Sequence, residues 1–127
     1  MDYILDTHVL LWSMFESVKL SQSAQEILID RKSRRFVSIS SMWEIAIKNR
    51  IGKLPLPNDL AGVFSTVEKR GYGVLGIDQQ HIEIYNTLPL LHRDPFDGII
   101  VATAFLEDMT IITADENIHK YNVPWIW

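Results

Sequence analysis

The chain has no cysteine. That excludes a disulfide scaffold, a thiolate metal site and a cysteine nucleophile, and it suits a reducing compartment. No apolar run approaches the ~20 residues of a membrane span. The chain starts with Met1 and the acid Asp2, then the strand-like Tyr3-Ile4-Leu5, with no signal-peptide pattern, so a cytoplasmic location is expected. There is no G-x-S-x-G elbow and no P-loop, which argues against serine-triad hydrolysis and nucleoside-triphosphate chemistry. Positive charge is also scarce. Twelve Lys and Arg stand against 16 Asp and Glu, a formal charge of −4. A broad basic surface for nucleic acid is therefore not expected.

What is present suits one globular α/β domain spanning residues 1–127. The chain is 47% hydrophobic and 22% charged, without repeats or a linker. Tyr3–Leu5, Phe36–Ile39, Tyr72–Ile77, Thr110–Thr113 and Val123–Trp127 read as strands, the last as an edge. Helices are expected from Asp6 or Thr7 to Phe15 and from Ser21 to Arg31. The latter carries a Ser23–Glu26 capping-box spacing and an apolar face of Ala24, Ile27 and Leu28. A helix from Met42 to Arg50, capped by Ser40-Ser41, should stop at Gly52. Asn58 should cap one bearing Leu60, Val63, Phe64 and Val67, and Asp78 one bearing Ile82, Tyr85 and Leu88. A further helix should follow His92-Arg93-Asp94-Pro95-Phe96-Asp97 and run to Asp108, with a turn or short helix at Ala114–Asn117. Strands alternating with helices imply a central parallel sheet of about four or five strands with helices on both faces.

Carboxylates recur where strands end. Asp6 follows the first strand, Glu44 lies one turn into the helix after the second, Asp97 one turn into the Asp94-Pro95 helix, and Asp115 after Thr110–Thr113. In an open parallel sheet, ligands bind beyond the carboxyl ends of the strands, near helix N-termini. Each acid also has an ordinary local role. Asp6 suits an N-cap, Glu44 a Ser41-x-x-Glu44 box or a pair with Lys48, Asp94 and Asp97 a capped first turn, and Asp115 a turn. Together they raise a different issue: clustered carboxylates repel and need protons or cations. An all-oxygen set suits Mg²⁺ or Mn²⁺. Such ions acidify water and stabilise a phosphodiester in displacement, so the chain's excess of four acids would be offset at the site itself. Lys48, Arg50, Lys53 and Arg93 flank the acids as candidate phosphate contacts, or as an ordinary solvated face.

These pieces resemble the PIN-domain ribonucleases, in particular VapC-type toxins of bacterial toxin–antitoxin pairs. The matching stretches are Ile4 to Trp12, Val37 to Lys48, Gly52-Lys53-Leu54, His92 to Asp97, Ala102-Thr103-Ala104 and Thr113-Ala114-Asp115. They run in family order along essentially the whole chain. Carried over by position, Asp6, Glu44, Asp97 and Asp115 match the family's acidic quartet, as catalytic and metal-binding residues. Asp97 rather than Asp94 is the match, because small residues, Ala102 and Ala104, follow it at the family's spacing. Asp94 stands as a secondary acid or a cap. Thr7 and Thr113 match positions where a hydroxyl lies near the acids. Where the subfamily usually has Arg after the second acid, this chain has Gly98.

The resemblance implies a Mg²⁺- or Mn²⁺-dependent endoribonuclease that acts on RNA, is held by a cognate VapB-type antitoxin and forms a homodimer. Trp12, Phe15, Trp125 and Trp127 are the apolar candidates for such partner contacts, or else ordinary packing. The alternative is a PIN-fold binding module with weak catalysis, acting through an antitoxin or RNA. Gly98 leans towards the module, whereas the complete quartet leans towards the enzyme. A phosphatase with an aspartate nucleophile would need a second acid two residues after Asp6, where His8 stands.

Overall fold

The computed structural model describes residues 1–127. Five strands, β1 (Asp2–Leu5), β2 (Arg34–Ser38), β3 (Gly73–Leu75), β4 (Thr110–Ile112) and β5 (Trp125–Ile126), form one sheet in the order β3-β2-β1-β4-β5. Every neighbouring pair is parallel. Seven α-helices accompany it: α1 (Thr7–Phe15), α2 (Gln22–Ile29), α3 (Ile39–Arg50), α4 (Leu60–Lys69), α5 (Gln79–Thr87), α6 (Pro95–Glu107) and α7 (Glu116–His119), with a 3-10 turn at Ser17–Lys19. No helix is long and apolar enough to cross a membrane.

β1 is central and buried on both faces, as a parallel strand between helical layers must be. Tyr3 and Leu5 point to one side, with Val37, Ile112, Val9, Leu10, Ile45 and Val67. Ile4 points to the other, with Ile111, Ile100, Val101, Ala104 and Ile118. The register matches this division: Ile4 stands beside both Phe36 and Ile111, and Leu5 beside Ile112. Two apolar cores thus sandwich the sheet.

Several boundaries differ from the sequence expectation. The first helical residue of α3 is Ile39, and its cap is Ser38, whose hydroxyl accepts from the Ser40 N–H at 3.0 Å. Ser38, Ser40 and Ser41 can all cap. The strand passes into the helix without a loop, so the earliest one does so, and Ser40 and Ser41 become buried in the first turn. Asp59, not Asn58, caps α4, accepting from Gly62 N–H at 2.8 Å. Ser21 caps α2, and the Ser23–Glu26 box does not form. β3 covers only Gly73–Leu75 and β5 only Trp125–Ile126, because both are edges with one neighbour to pair with.

The strand order reverses between β1 and β4. Chain progression runs outward through β2 and β3, then returns to the far side of β1. The crevice beyond the carboxyl ends at such a reversal is where α/β sheets bind ligands.

Candidate active site

Asp6 is the first residue after β1 and the N-cap of α1. One carboxylate oxygen accepts the Val9 N–H at 2.9 Å, and the other accepts the Thr113 hydroxyl. A cap alone would sit at the surface, but Asp6 is 3% exposed. Burial pushes its carboxyl up from the usual range and Asp115 adds to this, while Thr113 and the Val9 N–H oppose it.

Glu44 reaches the same region from α3 and is also buried. Its Oε1 lies 2.7 Å from the Thr7 hydroxyl, and its Oε2 pairs with Lys48. Thr7 also lies 2.9 Å from the Ser41 hydroxyl. Thr7 has one proton, so it donates to the carboxylate and receives from Ser41. Lys48 is held above its usual range, first by its hydrogen bond to Glu44, then by the charges of Glu44, Asp94 and Asp97.

Asp97 stands on the first turn of α6, where Asp94 caps the helix by accepting from Phe96 N–H and Asp97 N–H at 2.9 and 3.3 Å. Pro95 occupies the first helical position, where its missing N–H costs nothing. Capping and site geometry therefore cooperate: Asp94 sets the turn that presents Asp97. Burial raises the Asp97 carboxyl to about 7, with repulsion from Asp94, Asp6 and Glu44 adding to it and the His92 hydrogen bond opposing it. Asp115 caps α7, accepting from Asn117 N–H at 2.8 Å, and its own N–H donates to the Thr113 hydroxyl at 3.0 Å.

The four strand-end acids thus come from four separate elements and act on one another. Asp97 feels Asp6, Glu44 and Asp94, and Asp6 feels Asp115. His92 joins the group. Its Nε2 lies 2.8 Å from Asp97 and 3.8 Å from Asp115. Ligand atoms of His92, Asp94 and Asp97 all fall within 4.8 Å of one another. Sequence reasoning read Ser41 only as a cap or a box partner of Glu44, and gave His92 no role in the site. The signal for His92 was its place two residues before Asp94; an all-oxygen donor set drew attention away from it.

Thr7 and Thr113 have spent their protons on Glu44 and Asp6, so they orient carboxylates rather than offer open donors. Among the basic residues, Lys48 alone enters the cluster. Arg50, Lys53 and Arg93 are exposed. Gly98 is buried, and a Cβ there would stand 3.5 Å from the Tyr85 ring of α5. That is ordinary van der Waals contact, so a small side chain would fit against the ring, and nothing in the structure explains the glycine. Trp12 and Trp127 pack 5.8 Å apart against the core, Phe15 is half-buried, and Trp125 stacks on His119 at 3.5 Å.

A hollow of about 310 Å³ opens beside the acids, lined by Asp6, His8, Trp12, Ala114 and Asp115. A hollow of about 480 Å³, lined by Ser13, Arg70 and Tyr72 among others, holds no carboxylate.

The Thr113 hydroxyl serves Asp6 and Asp115 together. Thr113→Val should therefore cost about 1–3 kcal/mol in urea unfolding, and weaken divalent-ion affinity by about 10–100-fold in calorimetry. Unchanged values for both would show the hydroxyl to be incidental.

The PIN domain family model matches residues 3–124. Comparison with curated proteins gave no match. Among solved structures, VapBC2 of Rickettsia felis, bound to a DNA fragment from its promoter, superposes with a TM-score of 0.76 at 14% identity, covering 100% of this chain and 99% of that one. A toxin–antitoxin complex from Klebsiella pneumoniae gives 0.68 at 16%, covering 98% and 96%. VapBC-1 of nontypeable Haemophilus influenzae gives 0.64 at 19%, covering 99% and 97%. At these identities the likeness is one of fold. A family model that spans all but the chain's extreme ends goes further: the protein belongs to the PIN domain family.

Proposed function

We propose that this chain, as one PIN domain over residues 1–127, is a VapC-type toxin: a Mg²⁺- or Mn²⁺-dependent endoribonuclease restrained by a VapB-type antitoxin. The observation that carries the reading is the clustering itself: His92 Nε2 lies 2.8 Å from Asp97 and 3.8 Å from Asp115, and ligand atoms of His92, Asp94 and Asp97 fall within 4.8 Å of one another. So many acids around one partly shielded carboxylate require a cation to be charged together at neutral pH. Oxygen donors, with one imidazole beside them, fit a hard divalent ion. Asp6, Glu44, Asp97 and Asp115 would hold it, with Asp94 at the rim. A divalent ion there supplies positive charge to a phosphodiester in displacement and acidifies the attacking water.

The chain's own residues do the rest. Thr7, Thr113 and Ser41 fix the rotamers of Glu44 and Asp6. His92 tethers Asp97 and reaches towards Asp115. Lys48 sits beside Glu44, and with exposed Arg50, Lys53 and Arg93 it offers cations to the RNA backbone. The VapBC complexes among the solved structures support an antitoxin partner, and the resemblance of the sequence supports a homodimer.

Purified protein should cleave single-stranded RNA in millimolar Mg²⁺ or Mn²⁺. Chelation should abolish cleavage, and added Mg²⁺ should restore it. Cleavage that continues undiminished in excess chelator would overturn the reading.

A further inference from the structure

Trp43 is a large aromatic left 62% exposed on α3. It is not loose. Its ring meets Phe96 of α6 edge to face, with centroids 5.5 Å apart and planes at 80°. Each ring directly precedes an acid of the site, Trp43 before Glu44 and Phe96 before Asp97. The aromatic pair therefore bridges α3 and α6 at the level where those helices deliver their carboxylates. An edge-to-face contact engages at most one face of the indole and leaves the other open. Exposed Arg93 lies just before α6, three residues from Phe96 in the chain.

We infer that Trp43, braced by Phe96, is a stacking platform for an unpaired base of the RNA next to the phosphodiester held at the acids. This rests on the ribonuclease reading and adds to it a residue, outside the acids, that holds the RNA by stacking on one of its bases. Every base has a π-face, so an indole accepts any of them. A duplex would keep its bases inside the stack and away from the ring. The surroundings favour a nucleotide over a second copy of the chain. Before Asn49, the exposed residues of α3 are Ile39 and Trp43 alone, at 41% and 62%. Two partly exposed side chains fall well short of the about 800 Å² per partner of a standard interface.

The test is a binding titration in the Asp97→Asn background, which keeps the RNA intact, using a fluorescein-labelled single-stranded RNA decamer and the same decamer with abasic sugars. Trp43→Ala should weaken binding of the normal decamer by about 10-fold or more. Trp43→Tyr should stay within about 3-fold of the protein that retains Trp43, because a phenol ring still stacks. The abasic decamer should bind alike to the protein that retains Trp43 and to the Trp43→Ala variant. Undiminished binding of the normal decamer by Trp43→Ala overturns the inference alone. Equal weakening for both decamers also overturns it, since the loss would then not involve a base. Conversion of a dimer to a monomer by Trp43→Ala, read by sedimentation, assigns the ring to an interface between copies and overturns it likewise. Absence of RNA binding and cleavage by the unsubstituted protein overturns the ribonuclease reading, and this inference with it.

Discussion

Asp97→Asn should lower RNA cleavage by about 10³-fold or more, the equivalent of about 4 kcal/mol of lost transition-state stabilisation. The same substitution should make the metal-free protein more stable. Asparagine keeps an oxygen that accepts from His92 at the present 2.8 Å position but carries no charge. The burial penalty on a charged group, and the repulsion from Asp94, Asp6 and Glu44 that adds to it, together raise the Asp97 carboxyl to about 7, and both disappear. Taken at full value, that shift corresponds to a penalty of about 4 kcal/mol on the charged form. Solvent at the open side of the cleft reduces this, so a gain of about 1–2 kcal/mol in urea unfolding at pH 7.5 is expected. Opposite signs for stability and activity mark a carboxylate retained for chemistry rather than for folding. A variant both destabilised and active would show that Asp97 serves the helix.

Metal-free protein should also lose stability as pH rises from about 4 to about 7. Asp97 and Asp6 both have folded-state carboxyls raised above the unfolded value of 3.8. The folded state therefore holds protons that the unfolded chain has released. That contribution is fully present below the unfolded value and is lost as pH climbs through the folded one. The other shifted groups do not offset it in this window. Asp2 is lowered by its hydrogen bond to Arg34 and titrates below 3.8, while Lys48 and Arg34 titrate above 10. Divalent ions bind only the ionised acids, so millimolar Mn²⁺ should flatten or reverse the trend. Thermal melting between pH 4.5 and 8, with and without Mn²⁺, reads this directly. A metal-free melting temperature that rises across the window would contradict the electrostatic picture of the cluster.

Much of the fold was legible because local pattern and position in the sheet agreed. Tyr3–Leu5 and Thr110–Thr113 read as strands on β-branched and aromatic content, and β1 and β4 lie inside the sheet, where that content is buried. The edges were overextended, since Tyr72–Ile77 and Val123–Trp127 look apolar whether or not a partner strand is present. The Ser38-Ile39-Ser40-Ser41 run shows another limit. Three cap-competent serines leave the helix start open, and only the loop-free join to β2 selects Ser38. The strand-end acids could be picked out one by one, but their mutual repulsion depends on strand order, which no local motif carries. The approach of His92 to Asp115 lay beyond reach for the same reason: it joins the entrances of α6 and α7, which meet only after β4 returns beside β1. Gly98 was noticed as a missing Arg, and its neighbour, the Tyr85 ring of α5, is a tertiary contact that no local pattern announces.

Everything proposed for this protein depends on the strand-end acids forming one divalent-ion site. Calorimetric titration of Mn²⁺ into the metal-free protein at pH 7.5 is the sharpest check. Binding should saturate and should release a fraction of a proton, because Asp97, raised to about 7, is not fully ionised in the metal-free protein at that pH. It should be lost in both Asp97→Asn and Asp6→Asn. No binding, or binding that survives both substitutions unchanged, would contradict a shared site.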